Sequence, residues 1–231
     1  MSTPAPRTPL VSERVHAALR ADILEGRLGP GAAVPSERAL AERLRVNRHA
    51  VREALKRLEQ AGLVQISQGG ATRVLDWRRT GGLEVMLDLL GGQSSELPPP
   101  ELARSVLEMR ASIGVDAARR CAVRGDSETR SRVGAIAASA ADAVGVDGAA
   151  VDERYEALWR AIVAGSGNVA YQLALNSLIG ALAAYEGIAA AVRPGDPAAI
   201  RRLGDAVAGG DGERAGAAAE ALLEPDTHAL G

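Results

Sequence analysis

Between Asn47 and Lys56 the chain carries Arg48, His49, Arg52 and Lys56 at successive intervals of one, three and four residues. On an α-helix turning about 100° per residue, that spacing gathers the four side chains on one side. A guanidinium fork matches the O6 and N7 acceptors of guanine bidentately, and an Arg or Lys beside phosphate gains by releasing condensed counterions. The chemistry open to this face is recognition of a polyanion, above all double-stranded DNA. A solvated helix face would carry the same charges, so the surrounding elements have to decide between the two.

Those elements form an ordered series. Val11, Val15, Leu19, Ile23 and Leu24 recur at helical spacing and predict a first helix over Leu10 to Glu25. Gly26 to Gly31, with Pro30, ends it. Pro35-Ser36-Glu37 opens a second helix with a serine cap, running through Leu44. After a turn at Arg45 and Val46, Asn47 caps a third helix that Gly62 ends. On that helix Ala50, Val51, Ala54, Leu55 and Leu58 oppose the cationic side chains, so one face packs and the other reads. Leu63 to Ile66 and Thr72 to Leu75 predict a hairpin with Gly69 and Gly70 near its tip. Helix, helix, basic helix and glycine-tipped hairpin make a winged helix-turn-helix, its wing placed to reach phosphates or the minor groove.

Charge follows the same division. Residues 1–75 hold 12 basic and 7 acidic side chains, whereas residues 76–231 hold 15 and 22, so a net charge of -2 hides a basic front and an acidic rear. The rear half predicts only helices: Glu101 to Val123, Ser127 to Val144, Val151 to Ala164, Val169 to Val192, Pro197 to Ala208 and Gly212 to Leu223, the last stopped by Pro225. The fold class expected is mainly α, a winged helix-turn-helix followed by an all-α bundle of six or seven helices. The domains expected are a disordered arm over 1–9, a DNA-binding domain over 10–75, a linker over 76–82, and an effector-binding and dimerisation domain over 83–231. With no Phe and only 2% aromatics, the cores must be built from Ala, Leu, Val and Ile in closely packed helices. The single Cys121 excludes an internal disulfide and reads as a buried thiol. No apolar run is long enough to span a bilayer, and the expectation is a cytoplasmic protein. An enzyme is not expected: no nucleophile has a base partner and no glycine loop follows a strand to cradle phosphate.

Val34-Pro35-Ser36-Glu37-Arg38-Ala39-Leu40-Ala41, followed by Val46-Asn47-Arg48-His49-Ala50-Val51-Arg52-Glu53-Ala54-Leu55, closely resembles the DNA-binding domain of GntR-family regulators. The resemblance implies that Arg38, Arg48 and Arg52 contact operator bases or phosphates, supported by Asn47 and His49. It places Gln68 and Gly69 at the wing tip, where the FadR subfamily has a histidine before the glycine. It further implies a homodimer on a palindromic operator, acting as a repressor.

The rear half extends the likeness. Thr80 to Met86, Leu107-Glu108-Met109-Arg110, and Leu158-Trp159-Arg160-Ala161-Ile162 through Gly165-Ser166-Gly167-Asn168 resemble the effector domain of the FadR subfamily. Many members hold a divalent metal there through an Asp and three His, but the matching Asp and His positions fall on Tyr155 and Trp159. The three histidines are His16, His49 and His228, so no metal and no cofactor are expected. The departure points to the metal-free branch, which implies a small-molecule effector, a long-chain fatty acyl-CoA, with a small carboxylate or another metabolite as the alternative. Candidate effector contacts are Arg110, Tyr155, Trp159, Asn176 and Tyr185. Arg110 alternatively forms an ion pair with Glu108 or Asp116, and the aromatic rings alternatively serve as plain core.

Overall fold

The computed structural model describes residues 11–67, 70–82, 85, 100–183 and 192–228. The arm over 1–9, Gln68, Gly69, Tyr185 and all but the last residue of the 91–100 break lie outside the described residues. The chain divides into two compact units, Met1–Gly92 and Gln93–Gly231.

In the first unit, α1 (Val11–Leu24), α2 (Glu37–Leu44) and α3 (Arg48–Gln60) are followed by β1 (Val64–Gln65) and β2 (Arg73–Val74). Ser36 Oγ accepts from the Ala39 amide at 3.2 Å and Asn47 Oδ1 from the Ala50 amide at 2.8 Å, so both expected caps satisfy first-turn donors that have no partner inside the helix. Val15, Leu19 and Ile23 of α1 meet Leu40 of α2 and Val51, Leu55 and Leu58 of α3 in one core. β1 pairs antiparallel with β2, Val64 opposite Val74 and Gln65 opposite Arg73. A third stretch joins them that alternation does not reveal: Ala33 bridges Arg73, the Val74 amide donates to the Ala32 carbonyl, and the Val34 amide donates to that of Thr72. Residues after the wing do not form a bare linker. Asp76 caps a helical turn, α4 (Trp77–Thr80), Trp77 packs on the first core, and Val85 is buried in it. Thr80 Oγ1 donates to the Gly62 carbonyl at 2.7 Å.

The second unit holds six helices among the described residues: α5 (Pro100–Arg124), α6 (Ser127–Ala143), α7 (Gly148–Gly165), α8 (Val169–Ala183), α9 (Pro197–Ala208) and α10 (Gly212–His228). Asp126, Asp147 and Asp196 cap α6, α7 and α9, each accepting backbone amides of the first turn. α5 lies along α10 and α7, and α9 packs on α6 and α10. Small residues set the α6–α9 distance: a Cβ on Gly204 would overlap that of Ala137, and one on Gly134 would lie 3.2 Å from the Ala208 Cβ. An aromatic-poor composition therefore yields close helix contacts.

Two boundaries depart from expectation. Val192 stands in a turn, so the helix begun at Val169 does not reach it. Pro225 does not stop α10, which continues to His228. A proline forfeits one amide bond and crowds the carbonyl four residues back, which bends a final turn more readily than it ends one.

Candidate nucleic-acid interface and effector cavity

α3 presents its cations as its sequence period requires. Ala50, Val51, Ala54, Leu55 and Leu58 are buried, while Arg48, His49, Arg52 and Lys56 are exposed. The structure then adds partners that the period does not show. Arg52 forms a two-pronged ion pair with Glu37 at the head of α2, Nε to Oε1 at 3.0 Å and Nη2 to Oε2 at 2.8 Å. That hydrogen bonding holds the Glu37 carboxyl below its usual pKa and raises that of Arg52. Arg38 donates to Glu42 at 3.0 Å, and His49 lies 3.5 Å from Glu53. Arg48 has no carboxylate within ion-pair distance among the described residues. Asn47 is engaged through its oxygen as the helix cap. Arg38, Asn47 and Arg48 together line an open hollow between α2 and α3, and Arg45 lines it with them.

The pairs at Arg38 and Arg52 are exposed, where such bonds add little to stability and exchange readily for phosphate. The forked geometry of the Glu37–Arg52 pair fixes the direction of the Arg52 guanidinium.

The second unit contains a cavity of about 260 Å³ bounded by α5, α7, α8, the stretch at Val192 and Arg193, and α10. Arg110, Tyr155 and Trp159 all line it. The Arg110 guanidinium lies 5.9 Å from the Tyr155 ring centroid, and the Tyr155 and Trp159 rings meet edge to face at 6.0 Å. Trp159 is only 6% exposed, and among the described residues its Nε1–H has no hydrogen-bond partner. A buried donor left unpaired costs on the order of 1 to 3 kcal/mol, which an acceptor on a bound molecule would relieve. Asp116 is engaged elsewhere: Arg120 donates to it, and Tyr171 Oη donates to it at 2.8 Å. Asn176 is not among the lining residues; it accepts from Arg160 at 3.0 Å on the outer side of α8.

Sequence reasoning missed most of the cavity wall. Ile113, Leu175, Leu178 and Leu223 are apolar residues drawn from three helices, and nothing in their spacing distinguishes lining from core. It also missed Arg193, which reaches the cavity and pairs with Asp152, Nε to Oδ1 at 2.7 Å. The two carboxylates in the lining, Asp152 and Glu156, are paired with Arg193 and Arg160, and the remaining phenol, indole, guanidinium groups and aliphatic carbons make a poor donor set for a divalent metal. Among the described residues, no three His, Cys, Asp or Glu gather as a metal site would require.

Residues 11–74 match the profile of bacterial regulatory proteins of the gntR family, and residues 105–225 match the FCD domain. The chain belongs to the GntR family of bacterial regulatory proteins. The HTH-type transcriptional regulator Mce2R of Mycobacterium tuberculosis is 37% identical over 225 residues, covering 93% of this chain and 89% of that one. The fatty acid metabolism regulator protein of Edwardsiella ictaluri is 34% identical over 158 residues, 68% of this chain and 63% of that one. Among solved structures, Lar of Listeria monocytogenes shares the fold with a TM-score of 0.55 at 13% identity, covering 97% of this chain and 98% of that one. The winged unit of this GntR protein is thus a DNA-binding domain, and the chain is a transcriptional regulator and not an enzyme. No described helix is long and apolar enough to cross a membrane.

Proposed function

We propose that this GntR regulator is a cytoplasmic homodimeric repressor, that Arg38, Arg48 and Arg52 read a palindromic operator, and that a fatty acyl-CoA in the second unit alters its hold on DNA. The observation that supports the effector reading is the lining of the cavity: mostly aliphatic side chains, with Arg110, the Arg193–Asp152 pair, Glu156 and an indole N–H unpaired among the described residues. Aliphatic walls suit an acyl chain, the indole suits its carbonyl oxygen, and Arg110 suits an anionic head. The likeness to a fatty acid metabolism regulator supports the same class.

Control of DNA binding requires the effector to prefer one conformation over another. A coupling of about 1 to 3 kcal/mol corresponds to a roughly 5- to 150-fold change in operator affinity. Calorimetric titration with acyl-CoA thioesters of graded chain length, repeated with DNA present, tests the reading. The result expected is binding that strengthens with chain length and a reciprocal change in DNA affinity. Absence of both for every chain length removes the lipid effector.

One observation favours a second reading. At about 260 Å³ the cavity lies below the range of roughly 300 to 1,000 Å³ common for drug-sized ligands. A small carboxylate held by Arg110 would fit such a volume. It would raise the melting temperature of the second unit where long-chain thioesters leave it unchanged.

A further inference from the structure

We propose that Arg45, which falls between the two runs that carry the family resemblance, is a phosphate contact for DNA at the head of α3. The inference rests on the DNA-binding role of the first unit. Three observations meet at this residue. Arg45 is the sole described non-glycine residue with positive φ, at φ 54° and ψ 49°. It ends α2: the Val46 amide donates to the Ala41 carbonyl at 3.0 Å and the Arg45 amide to that of Glu42 at 3.3 Å. This is a left-handed helix stop that glycine enters without strain, whereas a Cβ there crowds the following carbonyl. The backbone gains nothing from arginine at such a position.

The side chain supplies the missing reason. Arg45 is exposed and lines the open hollow of about 470 Å³ with Arg38, Glu42, Asn47 and Arg48. The one carboxylate in that hollow, Glu42, is held by Arg38, while Arg52 is held by Glu37 and Arg43 stands 3.9 Å from Asp22. Among the described residues, Arg45 and Arg48 are the two guanidinium groups on this face with no carboxylate within ion-pair distance. Arg48 lies on the reading helix and Arg45 in the turn before it, outside the helix that enters the groove. A cation in that place meets the sugar-phosphate backbone, which fixes register without reading sequence.

Because a phosphate contact ignores sequence, the test needs no operator. Binding of the full chain to a labelled mixed-sequence duplex is followed by anisotropy between about 50 and 200 mM salt, for the wild type, Arg45→Gly, Arg45→Lys and Arg48→Ala. Glycine should lower the slope of log affinity against log salt by about 0.9 per winged domain, equivalent to roughly eightfold weaker binding at 0.1 M. Its melting temperature should equal or exceed that of the wild type, and lysine should restore the slope. An unchanged slope in Arg45→Gly alongside a reduced one in Arg48→Ala overturns the inference and leaves the DNA reading intact. Lower melting temperatures with equal binding loss in both Arg45 variants assign the residue to folding instead. A wild type that shows no salt-dependent binding to duplex removes the DNA reading, and the inference with it.

Discussion

His16 offers the clearest quantitative test of how the first unit is held together. It lies on α1 inside the first core, 9% exposed, and Arg57 and Arg20 act on it. Burial, then those two positive charges, lower its pKa from 6.5 to about 4. The unfolded chain therefore takes up a proton near pH 6.5 that the folded chain refuses until about pH 4, so stability falls as the pH drops through this window and is flat above it. The full shift corresponds to about 3 kcal/mol, of which about 2.5 is already lost at pH 4.5.

Carboxylates with lowered pKa values, such as Glu37, also weaken folding in acid, so the informative quantity is a difference between two proteins. The substitution His16→Leu removes the imidazole proton and leaves the carboxylates alone. The two tryptophans fall in different units, so in a Trp159→Phe background Trp77 reports the first unit by itself. Urea unfolding followed at Trp77, at pH 8 and pH 4.5, should show the protein that keeps His16 losing about 2.5 kcal/mol more than the His16→Leu variant. Equal losses, or an NMR titration of the folded imidazole with a midpoint near 6.5, would refute the argument that burial keeps this ring neutral.

Three further outcomes follow from named contacts. Gly114→Ala places a methyl 2.5 Å from Leu223 Cδ1 and 3.2 Å from the Trp159 ring, so it should weaken an acyl ligand about fivefold or more, an overpacking cost of about 1 kcal/mol, while DNA affinity without ligand stays unchanged; paired calorimetry and anisotropy check this. Gly62→Ala combines a φ of +68° with a Cβ that would overlap the Thr80 carbonyl oxygen, and should destabilise the first unit by about 2 kcal/mol or more in Trp77-monitored unfolding. Burial pushes the Cys121 thiol up to about 11, so a thiol reagent at neutral pH should label it only at the rate of opening, and fast labelling of the folded chain would contradict this burial.

The legible parts of this fold are those whose cause is local. Asn47 and Ser36 each sit three residues before the amide they cap, and the apolar period of α3 lies within one helix, so both can be read without knowing any neighbour. The bridge from Ala33 to Arg73 cannot, because a strand of one paired residue has no alternation. Nor can the Glu37–Arg52 pair, whose partners stand 15 positions apart on different helices and meet only once α2 and α3 pack. Resemblance groups Asn176 with the cavity, yet the roll of α8 turns it outward. Pro225 shows the limit of a breaker rule, since one lost amide bond does not outweigh the burial of Leu222 and Leu223 in the turn before it.

The cavity also bears on what a site without metal ligands can select. A divalent ion supplies its own positive charge and draws oxygen donors regardless of the rest of the ligand. Where the resemblance places metal ligands this chain has Tyr155 and Trp159, and the cationic groups that line the cavity are Arg110 and Arg193, the latter paired with Asp152. In the effector reading proposed above, an anionic head would meet Arg110 beside the Tyr155 ring, and aliphatic contact would supply the larger share of affinity. At about 0.8 kcal/mol per buried methylene, such a site discriminates by chain length more steeply than by head group, about fourfold for each carbon added until the cavity is full. Affinity along a series of acyl ligands should rise by that factor and then level off, and a series that is flat from its shortest member would place recognition in the head group alone.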